Sequence, residues 1–264
     1  MIDNTSDLYF ILGGKGFVGS AFARFCQNTG KNHVVIDRQN YDSYVGKSCD
    51  VLINASGNSS KILATKDPLG DFDATVRNTK KTLVDFKSKK YVLVSSCDVY
   101  PDCSSPDTTK EDMTIDVSKQ SPYGFHKYLA EECVRNGSSD WLIVRLGGMV
   151  GPGLKKNPIF DILNGGPLWL DPQSQLQYMK TDDVAKITFM LMQKNLKQEI
   201  FNVCGKGLVQ LDDILKNFAI KVNPGSPLVK YDINIDKISK IADVPNSMDA
   251  VMSFIQEKKE MNLD

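Results

Sequence analysis

The sequence carries no net charge: 32 Lys and Arg residues stand against 32 Asp and Glu. Such a balance creates no global field for nucleic acid or an anionic membrane surface, so neither is expected as a partner. No apolar run approaches the ~20 residues that a membrane-spanning helix needs. The six cysteines (26, 49, 97, 103, 133 and 204) form no CxxC pair and have no histidine-rich companion. Neither a zinc site nor a disulfide frame is expected, and the thiols suit a reducing compartment. The start, Met-Ile-Asp-Asn-Thr-Ser-Asp, lacks the basic and apolar segments of a signal peptide, which predicts a cytoplasmic protein. Internal repeats and low-complexity stretches are absent as well. What is present is ordinary for a globular chain: 264 residues, 41% hydrophobic and 24% charged, enough for one large domain or a domain with a small appendage.

Strands alternate with helices along the first part of the chain. Leu8 to Leu12 is a short apolar run that meets Gly13-Gly14-Lys15-Gly16-Phe17-Val18-Gly19, and Val18, Ala21, Phe22 and Phe25 follow at helical spacing. Glycines at 13, 16 and 19 permit a tight turn, a close approach of backbone to a pyrophosphate, and an anion seated on a helix N-terminus. His33 to Asp37 reads as a second strand, ending in an acid 18 residues beyond Gly19, where a carboxylate can accept from the hydroxyls of an adenosine ribose. Arg38 and Lys15 could instead pair with a 2′-phosphate. NAD or NADP therefore both remain open, with a lean to NAD.

Asp50 to Asn54, Tyr91 to Ser96 and Trp141 to Arg145 read as further strands, with an amphipathic helix from about Asp71 to Lys89 between them. The fold class expected is α/β, a Rossmann-type doubly wound parallel sheet. The pattern changes beyond Gly151-Pro-Gly153. Residues 1–150 are expected to form the dinucleotide-binding core, and 151–264 a small mixed part interleaved with it. Within the latter, short helices are expected over Asn157 to Leu163, from Thr181 (as cap) and from Leu211 to Ala219, with a possible strand at Pro167 to Asp171. A final helix from Ser247 to Lys259 should turn Met248, Val251, Met252 and Ile255 inward.

The stretch Ser121-Pro-Tyr-Gly-Phe-His-Lys-Tyr128 places Tyr123 and Lys127 four apart, on one face of a helix. A free tyrosine, with a pKa of about 10, is a poor acid or base at neutral pH. A neighbouring ammonium favours the phenolate and moves that pKa toward the working range.

Several ordered segments together resemble the extended short-chain dehydrogenase/reductase family, in its NAD-dependent sugar epimerase/dehydratase group. They are Gly13-x-x-Gly16-x-x-Gly19, Asp37, Val94-Ser-Ser-Cys-Asp-Val-Tyr100, Ser121-Pro-Tyr-Gly-x-x-Lys127 with Ala130-Glu131, Arg145 to Gly153, Lys180-Thr-Asp-Asp-Val-Ala185 and Phe201-Asn-Val203. The resemblance implies a catalytic set of Ser96, Tyr123 and Lys127, with Ser95 as the rival to Ser96 one residue away on the opposite strand face. It also implies a dinucleotide site lined by Gly13, Lys15, Gly16, Phe17, Val18, Gly19, Asp37, Arg38, Asn54 and Ala55, together with Tyr123 and Lys127. Phe125 and His126 are expected to face elsewhere. A homodimer is possible.

The departures narrow the reaction. Dehydratases of the resembling group carry an Asp-Glu pair after the catalytic Thr; here the positions hold Cys97 and Asp98. Thr75 stands where the group often has Asn, and the Asn and Arg that grip a nucleotide-sugar diphosphate would fall at Gly148 and Leu176. Asp98 and Asn157 stand as candidates to touch substrate. The expected activity is an NAD(P)-dependent oxidoreductase on a nucleotide-linked sugar, most simply a 4-keto sugar reductase. A 4-epimerase with bound NAD is the alternative, and a non-catalytic dinucleotide-binding scaffold or redox sensor the alternative of another class.

Overall fold

The structure is a computed structural model and describes residues 7–194, 196–216, 218 and 220–261. The chain forms two compact units: Met1–Pro101 with Thr114–Arg145 and Ala185–Phe201, and Asp102–Met113 with Leu146–Val184 and Asn202–Asp264. A single cut at residue 150 thus differs from the observed division. Residues 185–201 return to the first unit because they carry a further strand of its sheet, and 102–113 join the second.

The first unit is built on a six-stranded sheet. In chain order its strands are β1 (Tyr9–Leu12), β2 (His33–Ile36), β3 (Ser48–Asn54), β4 (Lys87–Ser96), β5 (Trp141–Leu146) and β9 (Glu199–Val203), arranged β2-β1-β3-β4-β5-β9. The pairs β1–β2, β1–β3 and β3–β4 run parallel. β1 and β5 are buried along their whole length, as strands covered on both faces must be; β1 is wholly apolar, and β5 is apolar but for Arg145. From β1 the chain leads to β2 on one side, and from β2 it crosses back to β3 on the other. That reversal opens a crevice beyond the carboxyl ends of β1 and β3, where such sheets bind ligands.

Helices α1 (Gly19–Asn28), α2 (Tyr41–Tyr44), α3 (Lys61–Lys66), α4 (Pro68–Phe72), α5 (Asn78–Asp85) and α6 (Pro122–Gly137) belong to this unit. The single helix expected over 71–89 is instead α4, a five-residue π-turn at Asp73–Arg77 and α5. It ends early because Lys87 to Lys90 already pair with β3, in the register Ser48↔Lys87 to Val51↔Lys90. A lysine run that looks like a basic helix end is the polar start of β4, alternating in exposure as a strand does.

In the second unit, β6 (Gly148–Val150) pairs parallel with β8 (Tyr178–Lys180), and β7 (Gln175–Leu176) pairs antiparallel with β10 (Val209–Gln210). Helices α7 (Pro158–Leu163), α9 (Leu211–Leu215), α10 (Asp236–Ser239) and α11 (Ser247–Met261) complete it, and the division between units falls within α8 (Thr181–Gln193). Three expectations change here. Pro167 to Asp171 forms no strand, only an isolated bridge Leu168↔Val222, because Leu168 alone of that run is buried in a segment closed off by Gly166 and Pro172. The buried Thr181 hydroxyl has no hydrogen-bond partner and so caps nothing. On α11 the inward positions are Val251, Phe254 and Ile255, while Met252 is 45% exposed, since a stripe of i, i+3, i+4 leaves the second position outside. The expected end of a helix at Ala219 lies outside the described residues, as does the N-terminal segment 1–6. No helix among the described residues is long and apolar enough to cross a membrane.

Candidate active site

Three chain segments converge at the carboxyl ends of β1, β2 and β3. Gly13 has φ +74°, and a Cβ there would stand 2.7 Å from the carbonyl oxygen of Ala55. At Gly19 a Cβ would stand 2.1 Å from the carbonyl oxygen of Gly13. The loop is therefore folded tightly onto the end of β3 and the start of α1, and only glycine fits at either point. It closes through Gly16 N donating to Gly13 O at 2.8 Å. Lys15 and Gly16 are exposed, and Phe17 and Val18 are half-buried. The ten-residue α1 then begins with no side-chain cap, while Ser20 N and Ala21 N donate to the carbonyls of Gly16 and Val18 at 2.9 and 3.1 Å.

Asp37 follows β2 and forms an ion pair with Lys15 of the glycine loop. Its Oδ1 also accepts from Gln39 N at 2.8 Å. The Lys15 ammonium and these backbone donors hold the carboxyl below its usual range. Arg38 points to solvent. Asn54 takes a different part from the expected one. Its amide nitrogen donates to Tyr91 Oη at 2.8 Å and its oxygen accepts from Ser56 N at 3.0 Å. The side chain is wholly buried and satisfied, so it shapes the crevice wall and leaves Ala55 backbone at its surface. Lining and charge together fit a dinucleotide.

The second cluster lies where β4 ends. Strand alternation sends the two serines to opposite faces. Ser95 Oγ donates to Glu131 Oε1 at 2.5 Å, deep in a buried network in which Glu131 Oε2 also takes Arg145 Nη2 at 2.7 Å and Arg145 Nη1 donates to Tyr100 Oη at 2.8 Å. Ser96 Oγ instead meets Tyr123 and donates to Asp98 Oδ2 at 3.0 Å. Asp98 Oδ1 is held by Lys61 Nζ at 2.6 Å. Cys97 points away: its buried thiol contacts the carbonyl oxygen of Arg145 at 3.5 Å.

α6 presents Tyr123 and Lys127 as the spacing predicts. Ser121 caps it, accepting from Gly124 N at 3.1 Å, and Pro122 occupies the first turn, where no donor is needed. Gly124 is required because a Cβ there would lie 2.0 Å from the carbonyl oxygen of Asp98. Lys127 Nζ stands 5.7 Å from the Tyr123 ring centroid and 3.8 Å from the position a Cβ would take at Gly57.

The phenol does not show the depressed pKa expected from Lys127. Burial pushes it above its usual value, the Asp98 and Asp71 carboxylates add to the rise, and only the Ser96 hydroxyl opposes it. In the protein alone, Tyr123 is held protonated.

His126, expected to face elsewhere, is buried and pairs through Nδ1 with Asp71 Oδ2 at 2.6 Å. Asp71, Asn58, Thr75 and Lys61 were not legible as site residues. The one local hint is Asp71 four before Thr75, an acid on the inward face of an amphipathic stretch. Asn157 lies in the second unit and caps α7, accepting from Phe160 N at 2.9 Å while its amide nitrogen donates to Met149 O at 2.8 Å. Both ends of that side chain are engaged within the protein, which removes it as a ready phosphate contact. Among the described residues no group of His, Cys, Asp or Glu is placed to hold a metal ion.

Comparison with known families decides the classification. Residues 9–204 match the model of the NAD dependent epimerase/dehydratase family. The chain belongs to that family. It is thus an NAD-dependent enzyme of the short-chain dehydrogenase/reductase type, and the crevice between the glycine loop, Asp37 and β3 is the candidate cofactor site. No curated protein sequence matches it. Among solved structures it is similar to a UDP-galactose 4-epimerase at 20% identity and TM-score 0.77, covering 96% of this chain and 99% of that one. It is also similar to MoeE5 in complex with UDP-glucuronic acid and NAD, at 14% identity and TM-score 0.79, covering 97% and 100%. A third is TunA, an NAD-dependent NDP-hexosamine 5,6-dehydratase of tunicamycin biosynthesis, at 17% identity and TM-score 0.79, covering 97% and 98%.

Proposed function

We propose that this enzyme moves a hydride to or from a carbinol carbon of a nucleotide-linked sugar, in the first place as a reductase of a 4-keto sugar. The observation that carries the reading is the meeting of Ser96 with a buried, protonated Tyr123 on one face of β4, with Lys127 one helical turn away. Bound NADH supplies the hydride. Ser96 holds the substrate oxygen by its hydroxyl, and Tyr123 gives that oxygen its proton as the carbon is reduced, leaving a phenolate that water reprotonates. Lys127 stabilises the phenolate in passing and is placed to bind the nicotinamide ribose. The face that eliminates water in dehydratases is incomplete here, because Cys97 turns its thiol to the carbonyl of Arg145.

A 4-epimerase, oxidising and re-reducing one carbon, is the second reading. It is supported by the similarity to a UDP-galactose 4-epimerase over nearly the whole chain. UDP-glucose and UDP-glucuronic acid are the first probes. Isomerisation without added cofactor assigns epimerase. Oxidation of NADH that requires a 4-keto nucleotide sugar assigns reductase. Failure to bind NADH or NADPH in a fluorescence titration would overturn both and favour a scaffold.

A further inference from the structure

Asp71 and His126 lie 55 residues apart and form a buried hydrogen-bonded cluster to which the proposed chemistry gives no direct role. Asp71 is wholly inaccessible. Its Oδ2 takes His126 Nδ1 at 2.6 Å, and its Oδ1 accepts from Asn58 Nδ2 at 2.7 Å and Thr75 Oγ1 at 3.3 Å. The carboxylate thus ties together three elements: the loop after β3, the π-turn that carries Thr75, and α6. A buried carboxylate ringed by donors is stable only while all of them stay in place.

The contacts continue beyond the pair and return to α6. Asn58 holds Ser60 in both directions, donating to its carbonyl at 2.9 Å and accepting from its N–H at 2.8 Å. Ser60 Oγ caps α3, accepting from Leu63 N at 3.2 Å. The first residue of α3 is Lys61, which grips Asp98, which meets Ser96, which meets Tyr123. Tyr123 and His126 sit one turn apart on α6, so the chain of contacts closes. On its inner side Lys127 Nζ lies beside Gly57, 3.8 Å from where a Cβ would stand. The charged groups around Tyr123 therefore come from α3 (Lys61), α4 (Asp71), the turn after β4 (Asp98) and α6 itself (Lys127).

We propose that Asp71 and His126 are a positioning pair for the active site, locking the 57–61 loop to the catalytic helix so that Lys61 and Lys127 stand where Ser96 and Tyr123 need them. The proposal rests on the reading of Ser96, Tyr123 and Lys127 as the reacting set. Its test has one arm independent of turnover. Hydrogen exchange is followed by mass spectrometry on the NADH complex of wild type, His126→Leu and His126→Asn. Asparagine places an amide donor where Nδ1 stands; leucine offers none.

His126→Leu should speed exchange over residues 57–63 by about tenfold or more while β3 and β4 stay protected, and His126→Asn should restore most of that protection. In turnover, with UDP-glucose or UDP-glucuronic acid as probe, His126→Leu should lower kcat about 10- to 100-fold with KM little changed, and His126→Asn should recover it. Should His126→Leu fail to fold, Asp71→Asn keeps the size, removes the charge and carries the same expectation. Unchanged exchange over 57–63, uniform loosening that includes β3 and β4, or equal damage from Leu and Asn would each overturn the pair's role. A wild type that neither isomerises these sugars nor oxidises NADH with a 4-keto nucleotide sugar would count against the proposed function alone, since the exchange arm still decides the pair.

Discussion

Ser95 and Ser96 offer the sharpest separation of folding from chemistry, because adjacent residues on one strand face opposite environments. Removing the Ser95 hydroxyl deletes a buried hydrogen bond to the Glu131 carboxylate. A hydrogen bond to a charged group contributes roughly 1.5–3 kcal/mol. The low half of that range applies here, because Glu131 keeps Arg145 Nε at 3.1 Å and Nη2 at 2.7 Å and is not left bare. Ser95→Ala should therefore destabilise by about 2 kcal/mol, or roughly 4–8 °C in melting temperature for a chain of this size. It should leave turnover per folded molecule within about twofold, since Ser95 touches no reacting group. Ser96→Ala loses contacts only to Asp98 and Tyr123 at the open end of the strand. It should shift the melting temperature by under about 2 °C yet lower kcat about 10²–10³-fold, the usual loss when one preorganised donor is removed. Thermal melts monitored by circular dichroism, paired with kcat on the same preparations, decide the matter. If Ser95→Ala proved the more damaging to kcat at equal stability, the assignment of Ser96 to the reacting oxygen would be wrong.

Three further outcomes follow from the same geometry. The Asp98 carboxylate opposes ionisation of Tyr123, so Asp98→Asn should move the alkaline limb of the rate profile to lower pH; a move to higher pH would mean that the lost grip on Ser96 outweighs the lost charge. Gly124→Ala would set a Cβ 2.0 Å from the Asp98 carbonyl and push α6 off the turn after β4. A stability loss of about 1–3 kcal/mol, read by urea denaturation, and a steep fall in kcat are expected; near-normal kcat would show that Tyr123 tolerates the shift. Asp37→Asn should weaken NADH binding about tenfold and tighten NADPH, because it removes the ribose acceptor and releases Lys15 toward a 2′-phosphate; fluorescence titration showing no change in the ratio would place the ribose elsewhere.

The parts of this enzyme that local pattern determines were legible. A glycine turn between an apolar strand and a helix, an acid at the next strand end, and Tyr123 with Lys127 at helical spacing all depend on neighbours within a few residues, and the sheet and α6 stand where those signals put them. The choice of Ser96 over Ser95 also lies within reach of strand alternation, once the Glu131–Arg145 network shows which face is the core. The hidden features are long-range or conflict with local propensity. Lys61 and Asp98 are 37 residues apart, and Asp71 and His126 are 55 apart. Nothing near either partner announces the other. Lys87 to Lys90 looks like the basic end of a helix, but pairing with β3 overrides that tendency. Met252 illustrates a finer limit: helical spacing identifies an apolar stripe but not its width, and Phe254 takes the inward place.

The charge around Tyr123 bears on the direction of the reaction. A phenol buried beside two carboxylates holds its proton, since burial and the Asp98 and Asp71 charges outweigh the Ser96 hydroxyl. A group in that state is prepared to give a proton to an oxygen that is gaining negative charge, which is what reduction of a ketone demands. Running the same site as an oxidant requires the phenolate. The missing positive charge must then arrive with the cofactor, whose oxidised nicotinamide is cationic while the reduced form is neutral. On the proposed reading the proton affinity of Tyr123 would follow the redox state of the cofactor, NADH leaving the tyrosine an acid and NAD favouring its phenolate. Asp98 and Asp71 set how far the balance tips, and Lys61 holds Asp98 in place beside Ser96.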